Sequence, residues 1–510
     1  MSDTNYKAYW HGYNYFDYEK ALALKEISNL SGLSSHEVSL HDYGVSFASQ
    51  NTPVDLDDLV YFSKFDKGSR EYLTLQGKLE GSCSVSGSTK RQSTRYSVHG
   101  IHEYKGKFNP QVVRAILNIF PTSRKGMIVD PFCGSGTTLA ECSHAGRASL
   151  GIDVNPLAVF IANQKQSALK IKGSLLKRDF EYIVNCYKKK RPSVSKNYWS
   201  ETHIEYLNSW FDKDILGDLD RLRRSILESN KRSHGIFNVI VSDLLRDYSL
   251  QEPADLRIRR RRTPLPELPL IDAFISKCNK FIESISSAQH VLKDNAKSSG
   301  VAHYADFRNL PVSIKNKLIK SDVSGFITSP PYANALPYID TQRLSLVWLN
   351  LIEPSDLRNQ ERSLIGNREI SKSQLNSLSA ELLENPHKIP DIPLEFCRTL
   401  EADLSHDDGF RRQAVPKLLY KYLTDMKLMF REARSVCVPG TPFAMVIGTN
   451  STTLGGIKHT IDTPSLLVSV ALSEGWTVSE RVKLDTYQRY GLHAKNAVSK
   501  EELTILVAND

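Results

Sequence analysis

The chain has 510 residues, 40% of them hydrophobic, enough to bury a sizeable core and to build two or three structural units. Its 24% charged and 9% aromatic contents are those of an ordinary soluble protein, and its formal charge of +9 is a modest bias towards a polyanionic partner. No apolar run reaches the roughly 18 residues that span a bilayer, which excludes a helical membrane protein. The opening "MSDTNYKAYWHGYNY" has no charged-then-apolar signal pattern, so a cytoplasmic protein is expected. The seven cysteines (83, 133, 142, 186, 278, 397 and 437) are scattered and include no Cys-x-x-Cys pair, which argues against a disulfide framework and a zinc ribbon.

In chain order, residues 1–80 are rich in Tyr and Phe and carry one predicted helix, "FDYEKALALKEISNL", with apolar residues at helical spacing. The small, polar and basic stretch "EGSCSVSGSTKRQSTR" (80–95) reads as a linker closing an N-terminal accessory region, 1–95. Short apolar, partly β-branched runs then begin. "GMIVDPF" (126–132), "ASLGIDV" (148–154), "VSGFITS" (323–329), "PFAMVIGTN" (442–450) and "ELTILVAND" (502–510) predict strands buried on both faces of a parallel-type sheet. "VAHYADF" and "TVSERVKL" are weaker strand candidates. Helical patterns such as "TTLAECSHAG", "NPLAVFIANQKQ" and "VPKLLYKYLTDMKLMFREARSVC" alternate with them. The alternation implies an α/β fold with a doubly wound, mostly parallel open sheet, whose ligands sit at the carboxyl ends of the strands. Two segments interrupt it and read as insertions carrying recognition. Residues 171–300 are mostly charged and helix-like around "LRIRRRRTPLPELP", and 351–414 are polar with few strand signals. The catalytic sheet is thus expected from 96–170, 301–350 and 415–510.

"VDPFCGSGTTLAEC" is a strand, a glycine loop and a helix start, the context a nucleotide-type loop requires. Gly134 and Gly136 can turn sharply and expose bare backbone to a ligand, while Thr137 and Thr138 open a helix whose unpaired amides attract an anion. "GIDVNP" sets Asp153 at the end of the next strand, where an acid binds ribose hydroxyls. An NAD loop is the alternative. Against it, Leu139 replaces the third glycine of that pattern, and Asp130 would point a carboxylate at the pyrophosphate. A purely structural turn is the bland reading.

"TSPPYANALPYID" (328–340) ends another strand on two prolines, which give no backbone donor and hold their neighbours extended. Ser329 and Tyr332 are therefore fixed at a rigid strand tip.

Taken together, "DPFCGSGTT" and "TSPPY" resemble the cofactor and catalytic motifs of S-adenosylmethionine-dependent DNA amino-methyltransferases, the serine-first form being typical of the cytosine-N4 branch. "YSVHGIHEYKGKFNPQVVRAILNIF" (96–120) is similar to the segment preceding the cofactor loop in such enzymes. The resemblance implies a Rossmann-like class I methyltransferase fold and S-adenosylmethionine as cofactor. It implies binding through Asp130, Phe132, Gly134, Gly136, Thr137 and Asp153, with Phe108 closing over the methionine end. Double-stranded DNA with a flipped target base is the implied substrate, in a restriction-modification setting with a cognate endonuclease as partner.

The residues at the tip suit that chemistry. An exocyclic base amine is flat and weakly nucleophilic because its lone pair is delocalised into the ring. Hydrogen bonds from the amine to Ser329 and to the Pro330 carbonyl, stiffened by Pro331, favour the pyramidal geometry that attacks a methyl sulfonium. Tyr332 can stack on the base once it has left the duplex. Asp306, in "HYADFRNLP", is weighed evenly between an adenine contact and an ordinary loop aspartate. Cys133 reads as filler, and His99 and His102 as surface or hydrogen-bonding residues. Cys142 and His144 face different ways, so no metal is assigned. Arg257, Arg259, Arg260, Arg261 and Arg262 are as fitting for phosphate contacts as for a solvated face. The expected function is N4-methylation of cytosine in DNA. Adenine-N6 methylation, RNA guanine-N2 methylation and a non-catalytic nucleic-acid binder stay open beside it.

Overall fold

The computed structural model describes residues 4–34, 37–49, 56–81, 92–104, 106–120, 126–194, 197–255, 257–292, 300–333, 338–485 and 500–510. Most of the expected linker (82–91) lies outside them. The first strands are β1 (Thr4–Trp10), β2 (Ser39–His41), β3 (Gly44–Ser49), β4 (Phe62–Lys67) and β5 (Arg70–Leu73). They form an antiparallel sheet in the order β2-β3-β1-β4-β5, with the expected helix at Asp17–Ser31 packed beside it. Sequence reasoning found that helix and missed the sheet.

All seven expected strands of the α/β part are present. They are β6 (Met127–Asp130), β7 (Ser149–Asp153), β8 (Gly300–Tyr304), β9 (Val323–Thr328) and β10 (Pro442–Gly448), then, after the hairpin β11 (Asn450–Leu454) and β12 (Ile457–Ile461), β13 (Trp476–Asp485) and β14 (Lys500–Ala508). Their order is β8-β7-β6-β9-β10-β14-β13, parallel throughout except β14, which runs antiparallel to both neighbours. The chain leaves β6 in one direction for β7 and β8, then returns across β6 to β9 and β10. The topological switch therefore lies between β6 and β9, where an open α/β sheet leaves a crevice at its carboxyl edge.

Alternate strand residues feed opposite cores, as period-two geometry requires. Val129, Phe326, Phe443 and Met445 pack under the helices Asp391–Ala402 and Val415–Arg434. Ile128, Ile327, Ala444 and Val446 pack on the other face, against the helices Pro110–Ile119 and Asp17–Ser31. Residues 173–292 are helical between loops, with helices at Gly173–Lys189, Glu201–Asn208, Lys213–Leu227, Lys231–Ser242 and Leu270–Leu292. Their apolar faces meet Ala140, Leu157 and Ile161 from the helices beside the sheet in one continuous core. Among the described residues no helix is long and apolar enough to cross a membrane.

Candidate active site

The glycine loop leaves β6 at the switch point. Gly134 (φ +48°) and Gly136 (φ +77°) both adopt the left-handed region that favours glycine. A Cβ on Gly136 would stand 2.7 Å from Ala162 Cβ, so the loop presses directly onto the helix Pro156–Lys170. At Gly134 a Cβ would meet only Tyr104, at 3.5 Å, and the backbone there is open to a ligand. Gly136 caps the helix Thr137–His144, and the whole first turn of that helix is buried.

Asp153, at the end of β7, accepts the Gly134 N–H at 2.8 Å and the Asn155 N–H at 2.8 Å. Asp130, at the end of β6, accepts the Phe132 N–H at 3.1 Å and the Thr328 hydroxyl at 2.7 Å. Burial pushes both carboxyls up to about 6, with Asp153's charge adding to the rise at Asp130. The Thr328–Asp130 bond matters most for placement. It ties the end of β9 to the end of β6, so the serine-proline tip and the glycine loop share one crevice.

Beyond Thr328 the tip is held by its carbonyls. Tyr422 donates its hydroxyl to the Pro331 carbonyl at 3.0 Å, and Asn450 donates to the Ala333 carbonyl at 2.5 Å. The Tyr332 hydroxyl donates to Glu501 Oε1 at 2.6 Å, anchoring the far edge of the ring to β14. Ser329 and Tyr332 are both half-buried. Neighbouring support comes from Asn155, whose amide donates to Gln342 in the helix Tyr338–Trp348 at 2.5 Å. Thr328, Glu501, Tyr422, Asn450 and Gln342 all escaped the sequence reading. Only Thr328 carried a local signal, as a hydroxyl adjoining the tip.

Tyr104 lies against the glycine loop, and Asn109 caps the helix Pro110–Ile119. Phe108 is half-buried on the core of that helix. Phe132 packs against the opposite core. Asp306 follows β8 at the third strand end, but its carboxylate is bracketed by Arg308, which also reaches Asp425 at 2.8 Å. Cys133 is buried against bare Gly151, and burial holds its thiol well above the usual range. Lys165 is fully buried under the loop and donates to Ser135 Oγ at 3.2 Å.

His99 and His102 are buried rather than on the surface. Glu141 gathers His99 at 2.6 Å, His144 at 3.1 Å and the Tyr96 hydroxyl at 3.0 Å. His99, Glu141 and His144 offer three ligand atoms close enough for a metal, yet Arg114 already stands 3.6 Å from the second Glu141 oxygen and supplies the countercharge. Burial pushes the His99 imidazole down to about 3, so it serves as a neutral strut for the segment leading to the loop.

Of the arginine run, Arg259 pairs with Asp255 at 2.9 Å, and Arg260 stacks over Trp210 with its guanidinium 4.5 Å from the ring centre. Arg261 donates to the carbonyls of Asp247, Arg246 and Pro264. Arg257 and Arg262 are exposed.

A parallel sheet of this order, with a glycine loop after its first strand and a proline-stiffened tip after its fourth, is a Rossmann-like class I methyltransferase fold. Residues 69–164 match the N6_N4_Mtase family model, described as "DNA methylase". Over 166 residues the chain is 39% identical to "Type II methyltransferase M.MjaII" of Methanocaldococcus jannaschii, a stretch covering 31% of this chain and only 29% of that one. It is 23% identical over 476 residues to "Type II methyltransferase M.AvaI" of Nostoc sp., covering 88% and 95% of the two chains. Among solved structures, the rRNA methyltransferase aviRa from Streptomyces viridochromogenes aligns over 80% of this chain and 88% of its own at 11% identity, with a TM-score of 0.30 too low to carry an argument. The matched segment and these relatives make the chain similar to DNA amino-methyltransferases, a family that uses S-adenosylmethionine as methyl donor.

Proposed function

We propose that this protein is a DNA amino-methyltransferase that moves the methyl group of S-adenosylmethionine to the N4 of a cytosine flipped from the duplex. The observation that carries the reading is the Thr328–Asp130 bond of 2.7 Å, which joins the serine-proline tip to the cofactor-type loop across the switch point. The residues present fit the cofactor. Gly134 leaves bare backbone facing the crevice, and each Asp153 oxygen retains a lone pair for a ribose hydroxyl after taking its backbone N–H.

The bound cofactor would supply an electrophilic methyl group. Ser329 and the Pro330 carbonyl would accept hydrogen bonds from the two amine N–H groups and orient the nitrogen lone pair towards it. The half-buried Tyr332 ring would carry the extruded base. Ser329 is short and neutral, and a pocket sized to it favours the pyrimidine. The Type II names of the relatives support a restriction-modification setting with a cognate endonuclease.

The test is nucleoside analysis of DNA from cells expressing the protein, beside cells expressing the Ser329→Ala variant. N4-methylcytosine present only with the active protein is expected. N6-methyladenine alone would change the base and leave the amino-methyltransferase reading standing. No modified base at all would remove that reading.

A further inference from the structure

The chain leaves β10 at the carboxyl edge of the sheet and turns at once into the ribbon β11–β12. The root of the ribbon stands at the catalytic tip, because Asn450, the first residue of β11, donates to the Ala333 carbonyl. Two paired strands of five residues carry it about 17 Å from root to turn. The turn is Gly455–Gly456, with φ of +51° and +82°, the left-handed pair that a two-residue hairpin of this twist requires. A Cβ on Gly456 would meet nothing within 4 Å, so the end of the ribbon is narrow and open.

Its register divides the ribbon into two faces. On one, Asn450, Thr452 and Leu454 pair with Ile461, His459 and Ile457. Leu454 and Ile461 are buried there, in the same core on which Tyr332 packs. His459 stands 3.2 Å from Asp403, and Asp408 accepts the Gly455 N–H at 2.8 Å. Asp408 also faces Arg412 at 3.7 Å. The ribbon is thus held from behind at root, middle and turn, and these acids are spent on its inner side.

On the other face Ser451 lies opposite Thr460, and Thr453 opposite Lys458. All four are exposed, and among the described residues none of them makes a hydrogen bond or an ion pair. A merely solvated ribbon is the bland reading, but its charge is one-sided. Across β13 and β14 Arg481 and Glu502 neutralise each other at 2.6 Å, whereas this face carries three hydroxyls, one cation and no carboxylate. Such a face suits the major groove of DNA, which is about 12 Å wide and about 8.5 Å deep and admits a two-stranded ribbon. The base edges there are donors, acceptors and thymine methyls. Hydroxyls serve as donor or acceptor, threonine adds a methyl, and a lysine donates to purine acceptors. A reach of about 17 Å exceeds the groove depth, so the face meets the bases while its root stays at the tip.

We propose that Ser451, Thr453, Lys458 and Thr460 on the outer face of this ribbon read base pairs in the major groove beside the target nucleotide. This rests on the reading that DNA is the substrate. It puts sequence recognition on a segment that sequence reasoning gave to the catalytic sheet rather than to either insertion. The root is bonded to the tip, so the pairs read lie within about five of the base drawn out to Tyr332, the number that about 17 Å covers at 3.4 Å per step.

The experiment starts from DNA of cells expressing the protein, where mapping the modified bases gives the sequence that the wild type methylates. A duplex of that sequence, and duplexes with single base-pair changes around the target, are then compared by kcat/KM with the full chain. Lys458→Ala and Thr453→Val should each lose about 5- to 150-fold of the discrimination at one base pair and keep it elsewhere. A 7-deazapurine at the pair affected by Lys458→Ala lacks the N7 acceptor in the major groove. It should slow the wild type and slow Lys458→Ala no further. Unchanged calorimetric affinity for S-adenosylmethionine certifies that each variant is folded. A loss equal on every duplex, with a log–log salt slope of binding flattened by about 0.9, puts Lys458 on a phosphate and overturns groove reading. Wild-type discrimination in the variant with all four residues changed to alanine overturns it as well, and both outcomes leave the DNA reading intact. DNA without any modified base overturns the DNA reading itself.

Discussion

At the scale of single residues the proposed cofactor crevice contains two carboxyls that hold their protons unusually tightly. Burial raises Asp153 and Asp130 to about 6, far above an unfolded aspartate. Such groups bind more protons folded than unfolded between the two values. Their contribution therefore lowers stability as pH rises through that window and restores it as pH falls. A ribose hydroxyl donating to Asp153 needs the ionised form, so cofactor affinity should have the opposite sense. We expect the calorimetric affinity for S-adenosylmethionine to be flat above pH 7 and to weaken below about 6, towards a limit of tenfold per pH unit. Asp153→Asn should bind more weakly and show no such step. A wild-type profile superimposable on that of Asp153→Asn would remove Asp153 from the binding role.

At the scale of elements, the serine-proline tip shows how a strand end is made rigid. Proline restricts the local chain, but the position of the tip in space comes from Tyr422 on the helix Val415–Arg434, Asn450 on β11 and Glu501 on β14. These bonds separate two roles of Tyr332 that a single substitution would merge. Tyr332→Phe loses the hydroxyl bond to Glu501 and keeps the ring, which should lower kcat only a few-fold. Tyr332→Ala loses the stacking platform, about 1–3 kcal/mol, and should lower turnover by roughly 5- to 150-fold with cofactor binding unchanged. Equal losses in the two variants would mean that the hydroxyl, not the ring, carries the function.

The same elements explain what was legible in the sequence. Strands such as β9 and β10 are buried on both faces, so each is a continuous apolar run that periodicity finds directly. The N-terminal sheet is not. In β1 only Tyr6 and Ala8 are buried, and β2 and β5 are exposed along their whole length, which leaves little alternation to read. The two motifs were readable because each is local, whereas the partners of the tip lie 91 to 169 residues away in sequence. The fates of Arg259, Arg260 and Arg261 were hidden for the same reason, since their partners are set by how the chain folds and not by the run itself.

At the scale of the whole molecule, the described parts of the apparent insertions and of the first 81 residues are bound to the seven-stranded sheet by shared cores. Leu75 and Leu79, in the helix Leu75–Gly81 after the N-terminal sheet, lie in the same apolar cluster as Phe180, Phe237 and Phe274 of the inserted helices and Leu157 beside the sheet. On the other face, Asn118 in the helix Pro110–Ile119 donates to Glu26 at 2.7 Å and to the Asp58 carbonyl at 2.8 Å, and Arg114 pairs with Asp58 at 2.9 Å. Contiguous buried contacts of this kind make segments open together. The five tryptophans sample every part: Trp10 in β1, Trp199, Trp210 and Trp348 around the inserted helices, and Trp476 in β13. Single-tryptophan variants should therefore unfold in urea with one shared midpoint. Phe274→Ala empties a fully buried site in the helical core and should cost about 3–5 kcal/mol. If the cores act as one unit, that loss lowers the midpoint reported by Trp10 as much as the one reported by Trp199, although Trp10 is far from the cavity in sequence. A Trp10 transition that stays at its original midpoint while the Trp199 transition falls would show that the inserted helices unfold on their own.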